Sequence, residues 1–538
     1  MGAFTSIQDT SLRVAWLLRV NRLLGPNLEW TRTATFAAAF RGGCYPKGVS
    51  ESTVSRWETG SGRVTFLALR RYEELLGLVP GLLVSTADTI YRYVKPTADG
   101  PPTLSRGGPA EPGTPSHTRL ETLLERALSS QEMSGWDWDE LTGQLSVLPS
   151  IIIIPGRAWT DLAGRLLEEM IVADGLAWMQ RFEAMNRLLG HPIGRHGAVA
   201  ACVSHVADPT NEVFVEPVSV LDASSHPDAS RNVLNQLNNP TNERARYGAL
   251  LACVRKVRFG HFTPDQLRVL VPVVTQLLVD PESRTDAGAL GVELVRRLPP
   301  GLRAGADAGL RRALGNDRTL LEVLAYGRLA PSAPSRMVVA RIVRAVAGEL
   351  ARESPGFSDD VLPTLLDEVL YDPVLDVRLY AAVLIDASPY REAVATAFAT
   401  ELTRPQVVSD ATLASSLLSG LRVFGAARQR GLVERLVVAG GIPPEVSTAA
   451  VDSLGHIGGT SSDQFWTTAI ALHSRAWRRH RTRSSATALT GLVYALGMAR
   501  NLRLLARIRD DEEVPSPVRT SARWWLNRSA RVYASVRS

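Results

Sequence analysis

Cysteine is scarce in this chain, and long apolar runs are absent from it. Cys44, Cys202 and Cys253 are the only cysteines among 538 residues, and their wide spacing gives neither a disulfide framework nor a metal-ligand pattern. No apolar run approaches the roughly 20 residues of a membrane span. The chain also begins without the charged and apolar segments of a secretory signal. These absences predict a protein of the reducing cytoplasm.

Motifs of common catalytic sites are missing as well. The sequence has no G-x-x-x-x-G-K-[ST] phosphate loop and no G-x-S-x-G nucleophile turn. His191, His196 and His205 are close in sequence, but successive members of this set do not fall on one helical face. We therefore expect no enzymatic activity, no cofactor and no metal site.

Charge is distributed unevenly along the chain, whose formal net charge is +6. Residues 1–95 hold 12 Lys and Arg against 7 Asp and Glu, and residues 475–538 hold 14 Arg against 4 acids. These ends carry +5 and +10, so the part between them carries −9. The basic C-terminal part is explained either by solvated helix faces or by contact with a polyanion, and both interpretations stay open.

The pattern of apolar residues predicts an all-α protein with three regions. Residues 1–94 form a small domain of five helices, near 9–24, near 31–41, within 49–62, at 66–76 and near 85–94. The inward stripe of the first helix is predicted to be Leu12, Trp16, Leu17, Val20, Leu23 and Leu24. Residues 95–117 are rich in Pro, Gly, Ser and Thr, which is typical of a flexible linker. Residues 118–538 read as amphipathic helices of 10–18 residues separated by short Pro, Gly and Asp breaks.

A degenerate repeat emerges within residues 118–538. The segments 239–254, 372–385 and 516–526 each begin with a proline turn, followed by an arginine and a helix of small and apolar residues. Pairs of helices that cannot bury their apolar faces alone stack into a solenoid. This pattern resembles the HEAT-repeat family, and the resemblance implies an α-solenoid that senses a partner, binds one or makes an oligomer.

The most specific signal is the stretch VSESTVSRWETGSG at 49–62. Ser50 is a typical N-cap, and Gly60 is expected to end the helix. Val54 and Trp57 are three residues apart and share one face, which we expect to be buried, with Trp57 packed against Leu12, Trp16 or Phe40. The other face carries short hydroxyl side chains, Glu51 and one long guanidinium, that of Arg56.

Together with the preceding helix and LRRYEELLGL at 69–78, this stretch resembles the helix-turn-helix of phage-repressor-like (XRE) transcriptional regulators. The resemblance covers about residues 9–83 and implies a DNA-binding regulator whose third helix lies in the major groove. The connection at 41–50 is longer than the usual turn of that family. The implied partner is double-stranded DNA, and because one such domain reads few base pairs, a homodimer on a pseudo-palindrome is expected.

The resemblance directs Glu51, Ser52 and Arg56 towards base edges, and the chemistry of these side chains agrees. Arginine forks onto guanine O6 and N7, and a carboxylate accepts a hydrogen bond from cytosine N4. For Glu51, charge complementarity at the helix start is an equal alternative. The remaining predicted DNA contacts are to phosphates, by Ser50, Thr53 and Ser55 at the helix and by Arg32, Lys47 and Arg63 beside it.

Two other functions remain open at the level of sequence. HEAT-like solenoids also occur in DNA glycosylases that act on alkylated purines, in which the repeats themselves grip DNA. A scaffold, in which residues 1–94 are only a protein-docking bundle, is the third interpretation. Release of methylated purines by residues 118–538 would indicate the first alternative, and absence of DNA binding by residues 1–94 the second.

Overall fold

The computed structural model describes residues 7–93, 104, 106, 115–148, 150–151, 156–279, 286–350 and 359–536. All regular secondary structure in these ranges is helical, apart from one isolated bridge between Gly42 and Tyr45. The predicted all-α class is therefore confirmed. Among the helices in these ranges, none combines the length and apolar character needed to cross a membrane.

The helices follow one another with short connections. The first ten are Ile7–Leu23 (α1), Thr33–Ala39 (α2), Glu51–Glu58 (α3), Phe66–Leu76 (α4), Leu82–Arg92 (α5), Pro115–Leu128 (α6), Gly135–Ser146 (α7), Ala158–Met170 (α8), Gly175–Gly190 (α9) and Gly194–Ala207 (α10). The next ten are Val215–Ser219 (α11), Pro227–Asn238 (α12), Glu243–Phe259 (α13), Pro264–Val279 (α14), Asp286–Arg296 (α15), Pro300–Leu314 (α16), Arg318–Tyr326 (α17), Ser332–Leu350 (α18), Leu362–Tyr371 (α19) and Leu375–Asp386 (α20). The last ten are Arg391–Glu401 (α21), Pro405–Ser409 (α22), Ala411–Phe424 (α23), Ala427–Val438 (α24), Pro444–Leu454 (α25), Asp463–His480 (α26), Arg483–Met498 (α27), Leu502–Asp510 (α28), Ser516–Leu526 (α29) and Ala530–Ser535 (α30). Leu28–Thr31 and Val220–Ala223 are short 3-10 helices.

The chain divides into two compact units. Unit 1 comprises residues 1–15, 32–330 and 529–538, and unit 2 comprises residues 16–31 and 331–528. In unit 1, α7 packs on α9, α8 on α10, α13 on α15 and α15 on α17. In unit 2, α21 packs on α23, α23 on α25, α25 on α27 and α27 on α29. Packing of each helix on the next but one is what stacked helical pairs produce.

Helices follow all three proline turns on which the repeat prediction rested. They are α13, α20 and α29, and the last of these has the predicted bounds of 516–526. In the second of these segments, Arg378 donates a hydrogen bond to the carbonyl of Asp372 in the turn, at 3.0 Å. The turn and the arginine are therefore linked directly in that segment.

The first five helices have the predicted order, with shifted ends. The bounds of α4 are those predicted, whereas α5 begins at Leu82, three residues before the predicted start. Gly81 precedes it with φ 89°, a left-handed conformation that favours glycine. The buried carboxylate of Glu73 accepts hydrogen bonds from the backbone N–H groups of Gly81, Leu83 and Val84 at 2.8, 2.8 and 3.1 Å. A cap supplied by another helix therefore extends α5.

One inward-facing residue was wrongly predicted in α1. Leu12 is 45% exposed, whereas Trp16, Leu17 and Val20 of the same predicted stripe are buried. Leu12 lies against Gly60 instead. A Cβ added at Gly60 would touch the side chain and the backbone of Leu12.

Most of the predicted linker at 95–117 lies outside the described residues. The described members are Leu104 and Arg106, both largely buried, and residues 115–117, which begin α6. The domain boundaries at 94 and 118 stay predictions.

Candidate nucleic-acid interface

The candidate site is built on α3, an eight-residue helix with a cap at each end. The side chain of Ser50 accepts a hydrogen bond from the N–H of Thr53 at 3.3 Å, which confirms Ser50 as the N-cap. At the other end, Gly60 follows the C-cap Thr59 and has φ 74°. The chain turns away there at little strain because glycine has no Cβ.

One face of α3 is anchored in an aromatic cluster. Trp57 is 6% exposed, and its ring centroid lies 5.4 Å from that of Phe40, 6.4 Å from that of Tyr45 and 6.3 Å from that of Tyr72. Tyr72 also donates a hydrogen bond from its hydroxyl to the buried carboxylate of Glu58 at 3.0 Å. The prediction that Trp57 is a core residue with Phe40 as a neighbour is confirmed.

The opposite face of α3 lies in solvent. Of the nine residues predicted to contact DNA, Thr53 is half-buried and eight are exposed: Arg32, Lys47, Ser50, Glu51, Ser52, Ser55, Arg56 and Arg63. Positions 51, 52, 55 and 56 lie on one side of the helix, because 51 and 55, like 52 and 56, are four residues apart and 52 and 55 are three apart. A partner could therefore reach all of them without disturbing the core.

Hydroxyl groups cluster at the N-terminal turn of α3. Ser50 Oγ lies 2.9 Å from both Ser52 Oγ and Thr53 Oγ1. These hydroxyls satisfy one another in the free protein and can each rotate to donate to an external acceptor. The exposed N–H groups of the first helical turn add further donors and a positive field.

Arg56 lies back along its own helix. Its Nε donates to the carbonyl of Ser52 at 3.3 Å and its Nη2 donates to Thr53 Oγ1 at 3.4 Å, both long for hydrogen bonds. Within the described part of the chain, no carboxylate pairs with Arg56. No lysine or arginine in the same part of the chain pairs with Glu51. The guanidinium can therefore turn outward at little cost.

The long connection between α2 and α3 is held by two residues of α4 that the sequence analysis did not single out. Arg71 donates from Nε to the carbonyl of Phe40 at 3.0 Å and from Nη2 to that of Ala39 at 2.8 Å, so it satisfies the C-terminal end of α2. Glu74 accepts from Arg71 at 2.8 Å and from the N–H of Cys44 at 3.4 Å. In the sequence, the only indication of this interaction is the spacing of three residues between Arg71 and Glu74, which allows an ion pair on a helix.

The connection leaves no room for a larger residue at its tightest point. Gly43 has φ 51°, and a Cβ there would overlap Arg71 and Glu74. Burial and the hydrogen bond to Glu74 raise the pKa of the Cys44 thiol beside it to about 11, which disfavours the thiolate. Cys202 and Cys253 lie outside this connection, and burial raises the pKa of each to about 12.

A buried charge cluster joins α5 to the helices that follow it in unit 1. Asp88 of α5 accepts from Arg106 and from Arg187 of α9, each at 2.5 Å, and Asp139 of α7 pairs with the same two arginines at 2.8 and 2.9 Å. Burial alone would raise the pKa of Asp139, but Arg187 and Arg106 hold it below its usual range. We call these four residues the charge clamp.

A second ion pair lies one turn further along α5. Arg92 donates from Nε to both carboxylate oxygens of Glu183 at 2.9 and 3.0 Å, and Thr89 donates to the same carboxylate at 3.0 Å. Every residue from 83 to 91 is buried, polar ones included. The sequence predicted a helix here and gave no sign of these distant partners.

One set of side chains has the composition of a metal site. The ligand atoms of His196, His226 and Asp228 lie within 4.8 Å of one another. Their other interactions are structural, however. His226 Nδ1 accepts from the N–H of Asp228 at 3.2 Å as the N-cap of α12, and Arg231 pairs with Asp228 at 2.7 Å. The sequence analysis considered His196 but missed His226.

The other two histidines of the sequence set are bound to backbone. His191 Nε2 lies 3.3 Å from the carbonyl oxygen of Leu148, and His205 Nε2 lies 2.9 Å from that of Val213. Burial lowers the pKa of His191, which disfavours the protonated ring.

A shallow cavity of about 450 Å³ lies in unit 2, where α26 begins and α28 begins. Its polar lining includes Asp463, Asn501 and Arg503, of which Arg503 and Asp463 form an ion pair. This lining offers neither a nucleophile paired with a base nor a set of metal ligands.

Comparison with models of protein families and with curated proteins found no match for this chain.

Proposed function

We propose that this protein is a sequence-specific DNA-binding transcriptional regulator, in which α2 and α3 form a helix-turn-helix and α3 reads the major groove. The observation that supports this most directly is the division of α3 into two faces. One face is fixed by Val54 and Trp57, and the other presents hydroxyls and the unpaired guanidinium of Arg56 to solvent. A short helix with such faces suits a groove about 12 Å wide.

Each exposed group of α3 has a part in this proposal. Arg56 turns outward and donates two hydrogen bonds to guanine O6 and N7, a pairing worth about 1–3 kcal/mol of discrimination. Glu51 accepts from cytosine N4. The N-terminal hydroxyls of Ser50, Ser52 and Thr53 donate to phosphate oxygens or base edges.

Arg32, Lys47, Ser55 and Arg63 serve as backbone contacts in this proposal. All four are exposed, and the three cations lie before and after α3 along the chain. Contacts to phosphates fix register and orientation without reading sequence. A homodimer places two copies of α3 on a pseudo-palindromic operator.

The repeated helices supply the sensing or assembly surface. The stacking of alternate helices in each unit supports an α-solenoid of HEAT-like repeats, whose extended surface takes a protein or peptide partner.

The test is selection of DNA from a random duplex library by the full-length protein. We expect one enriched sequence, and Arg56→Ala should lower affinity for it while relaxing the preference at a single guanine. Arg41→Ala is the control, because Arg41 is exposed in the connection and lies outside the reading face. Equal weakening by Arg56→Ala on all sequences would make Arg56 a phosphate contact, and absence of enrichment would reject the proposal.

A further inference from the structure

Unit 2 contains a long segment without acidic residues. Residues 464–509 comprise 46 residues with nine arginines, and they include no aspartate, glutamate or lysine. They form most of α26, all of α27 and α28 up to Arg509. Charges of a single sign over such a length repel one another unless something anionic is close.

The arginines of α26 lie on its solvent side. Trp466, Ala469 and His473 are buried and share one face of the helix. Positions 475, 478 and 479 share the opposite face, where all three arginines are exposed. Arg481 follows at the C-cap with φ 51°, and its guanidinium lies 3.7 Å from the ring centroid of Trp477.

Carboxylates pair with some of the arginines of this segment and leave others without a partner of opposite charge. Three arginines are tied to them, in the pairs Arg478–Glu513, Arg503–Asp463 and Arg509–Asp510. As far as the structure describes the chain, Arg475, Arg479, Arg481 and Arg507 are exposed and have no carboxylate partner. We call these four residues the open arginine surface.

Helix stabilisation does not account for this surface. Cations at a helix C-terminus interact favourably with the macrodipole, but the effect is confined to the last turn. Arg479 lies in the last turn of α26, which ends at His480, whereas Arg475 lies outside it and donates from Nε to the carbonyl of Ala471 at 3.1 Å. Arg507 belongs to a different helix, α28.

We propose that the open arginine surface binds the phosphate backbone of double-stranded DNA without reading its sequence. The choice of DNA as the polyanion rests on the proposed function. Each guanidinium presents a planar fork of donors that matches two phosphate oxygens, and it stays charged at any physiological pH. On this face of α26, Glu513 offsets the charge of Arg478 only, so the charges of Arg475 and Arg479 remain to attract phosphate.

The test uses the salt dependence of binding by the full-length protein to a duplex of unrelated sequence. Each phosphate neutralised contributes about 0.9 to the slope of log K against log salt concentration. Arg475→Gln with Arg479→Gln should therefore reduce the slope by about 1.8, from two contacts. Anisotropy titrations between low and moderate salt measure it, and circular dichroism checks that the variant is folded.

Arg336→Gln with Arg344→Gln is the matched control. Both arginines are exposed on α18 in the same unit, and Arg336 donates from Nε to a carbonyl of its own helix, as Arg475 does. The control removes the same net charge and should leave the slope unchanged. The proposal would be overturned if the two double variants reduced the slope equally. It would also be overturned if the slope were unchanged in the variant of Arg475 and Arg479.

The outcome separates this proposal from the one on α3. If no sequence is enriched but substitution of Arg475 and Arg479 still reduces the slope, the surface binds DNA and base reading is rejected. If Arg56→Ala abolishes a sequence preference while the slope is unaffected by the arginines of α26, base reading stands alone and the surface proposal is rejected.

Discussion

At the scale of single residues, neighbours on α3 have opposite surroundings. Trp57 lies among Phe40, Tyr45 and Tyr72, whereas Arg56 next to it lies in solvent with only long hydrogen bonds to its own helix. A rigid backbone and a movable guanidinium are what recognition of a base requires. The fold therefore depends on Trp57 and the proposed function on Arg56.

Trp57→Ala should unfold the region around α3. Truncation of a buried aromatic side chain to alanine costs about 3–5 kcal/mol, which is a large part of the stability of a small region. Hydrogen exchange of the full-length protein should show lost protection in α2, α3 and α4, together with lost DNA binding. Trp57→Phe keeps an aromatic ring and should lose less, and normal protection in Trp57→Ala would contradict the packing role.

Lys256 provides a test of pH dependence. It is fully buried and donates to the carbonyl of Ser224 at 2.7 Å, and burial lowers its pKa to about 8, although Asp222 acts in the opposite direction. A lysine whose pKa is lower in the folded state destabilises the fold while protonated. Its contribution to stability is therefore least favourable below pH 8 and improves as the pH rises towards the unfolded value near 10.4.

The expected rise in the free energy of unfolding between pH 8 and pH 10 is up to about 3 kcal/mol from this group. Lys256→Met removes the titrating group and should abolish that rise, whatever it does to stability at pH 7. Denaturant unfolding of both proteins at several pH values measures the difference. Parallel pH profiles for the two proteins would contradict the lowered pKa.

At the scale of elements, α5 is held by partners distant in sequence. Its Asp88 belongs to the charge clamp, and its Arg92 and Thr89 meet Glu183 of α9. The ring of Phe66 at the start of α4 also stacks on Trp136 of α7, with centroids 6.4 Å apart. Within unit 1, α4 and α5 are therefore joined to the helices of the repeat region.

Arg187→Met should break the charge clamp. It leaves Asp88 and Asp139 buried with one arginine instead of two, and loss of a partner from a buried ion pair costs about 3–5 kcal/mol. We expect lost hydrogen-exchange protection in α5, α7 and α9. Arg157→Met is the control, because Arg157 is 82% exposed and its pair with Asp161 is solvated. Equal effects of the two changes would contradict the clamp.

Local signals predicted the elements well, and long-range contacts explain what they missed. Ser50 and Gly60 mark the ends of α3, and the bounds of α4 and α29 follow from apolar periodicity with caps and prolines nearby. The start of α5 was misplaced because its cap, Glu73, comes from another helix. Leu12 fits a helical stripe and still lies outside, since periodicity cannot tell which part of a long helix is covered.

The site itself was predictable only as a face. Helical spacing alone places positions 51, 52, 55 and 56 together and leaves Arg56 on the side away from Trp57. Arg71 and Glu74 could not be assigned to the connection before α3, because they lie some 30 residues further along the chain. The partners of Arg106 and Arg187 were hidden for the same reason.

At the scale of the whole molecule, the proposed reading helix belongs to a unit that also contains helices from the region predicted to form repeats. The fragment 1–94 would lack Glu183, Asp139 and Arg187, and would expose the buried polar face of α5. We therefore expect it to bind the same operator more weakly than the full chain and to be less stable. Gel-shift titrations of residues 1–94, residues 118–538 and the full chain at two salt concentrations measure this.

Two results of those titrations would contradict the expected division of labour. Equal affinity of residues 1–94 and the full chain would show that the repeat helices add nothing to DNA binding. A fragment 118–538 that binds as tightly as the full chain would show that α3 is not the reader, and the alternative of a glycosylase-like enzyme would gain support.

Arg106 changes the mechanics of the segment predicted to be a linker. Its guanidinium is fixed between Asp88 and Asp139, so position 106 is anchored to α5 and α7. Displacing this position from either helix has to break a buried ion pair, and loss of a partner from such a pair costs about 3–5 kcal/mol. Position 106 is therefore a fixed point in a segment whose composition is that of a free tether.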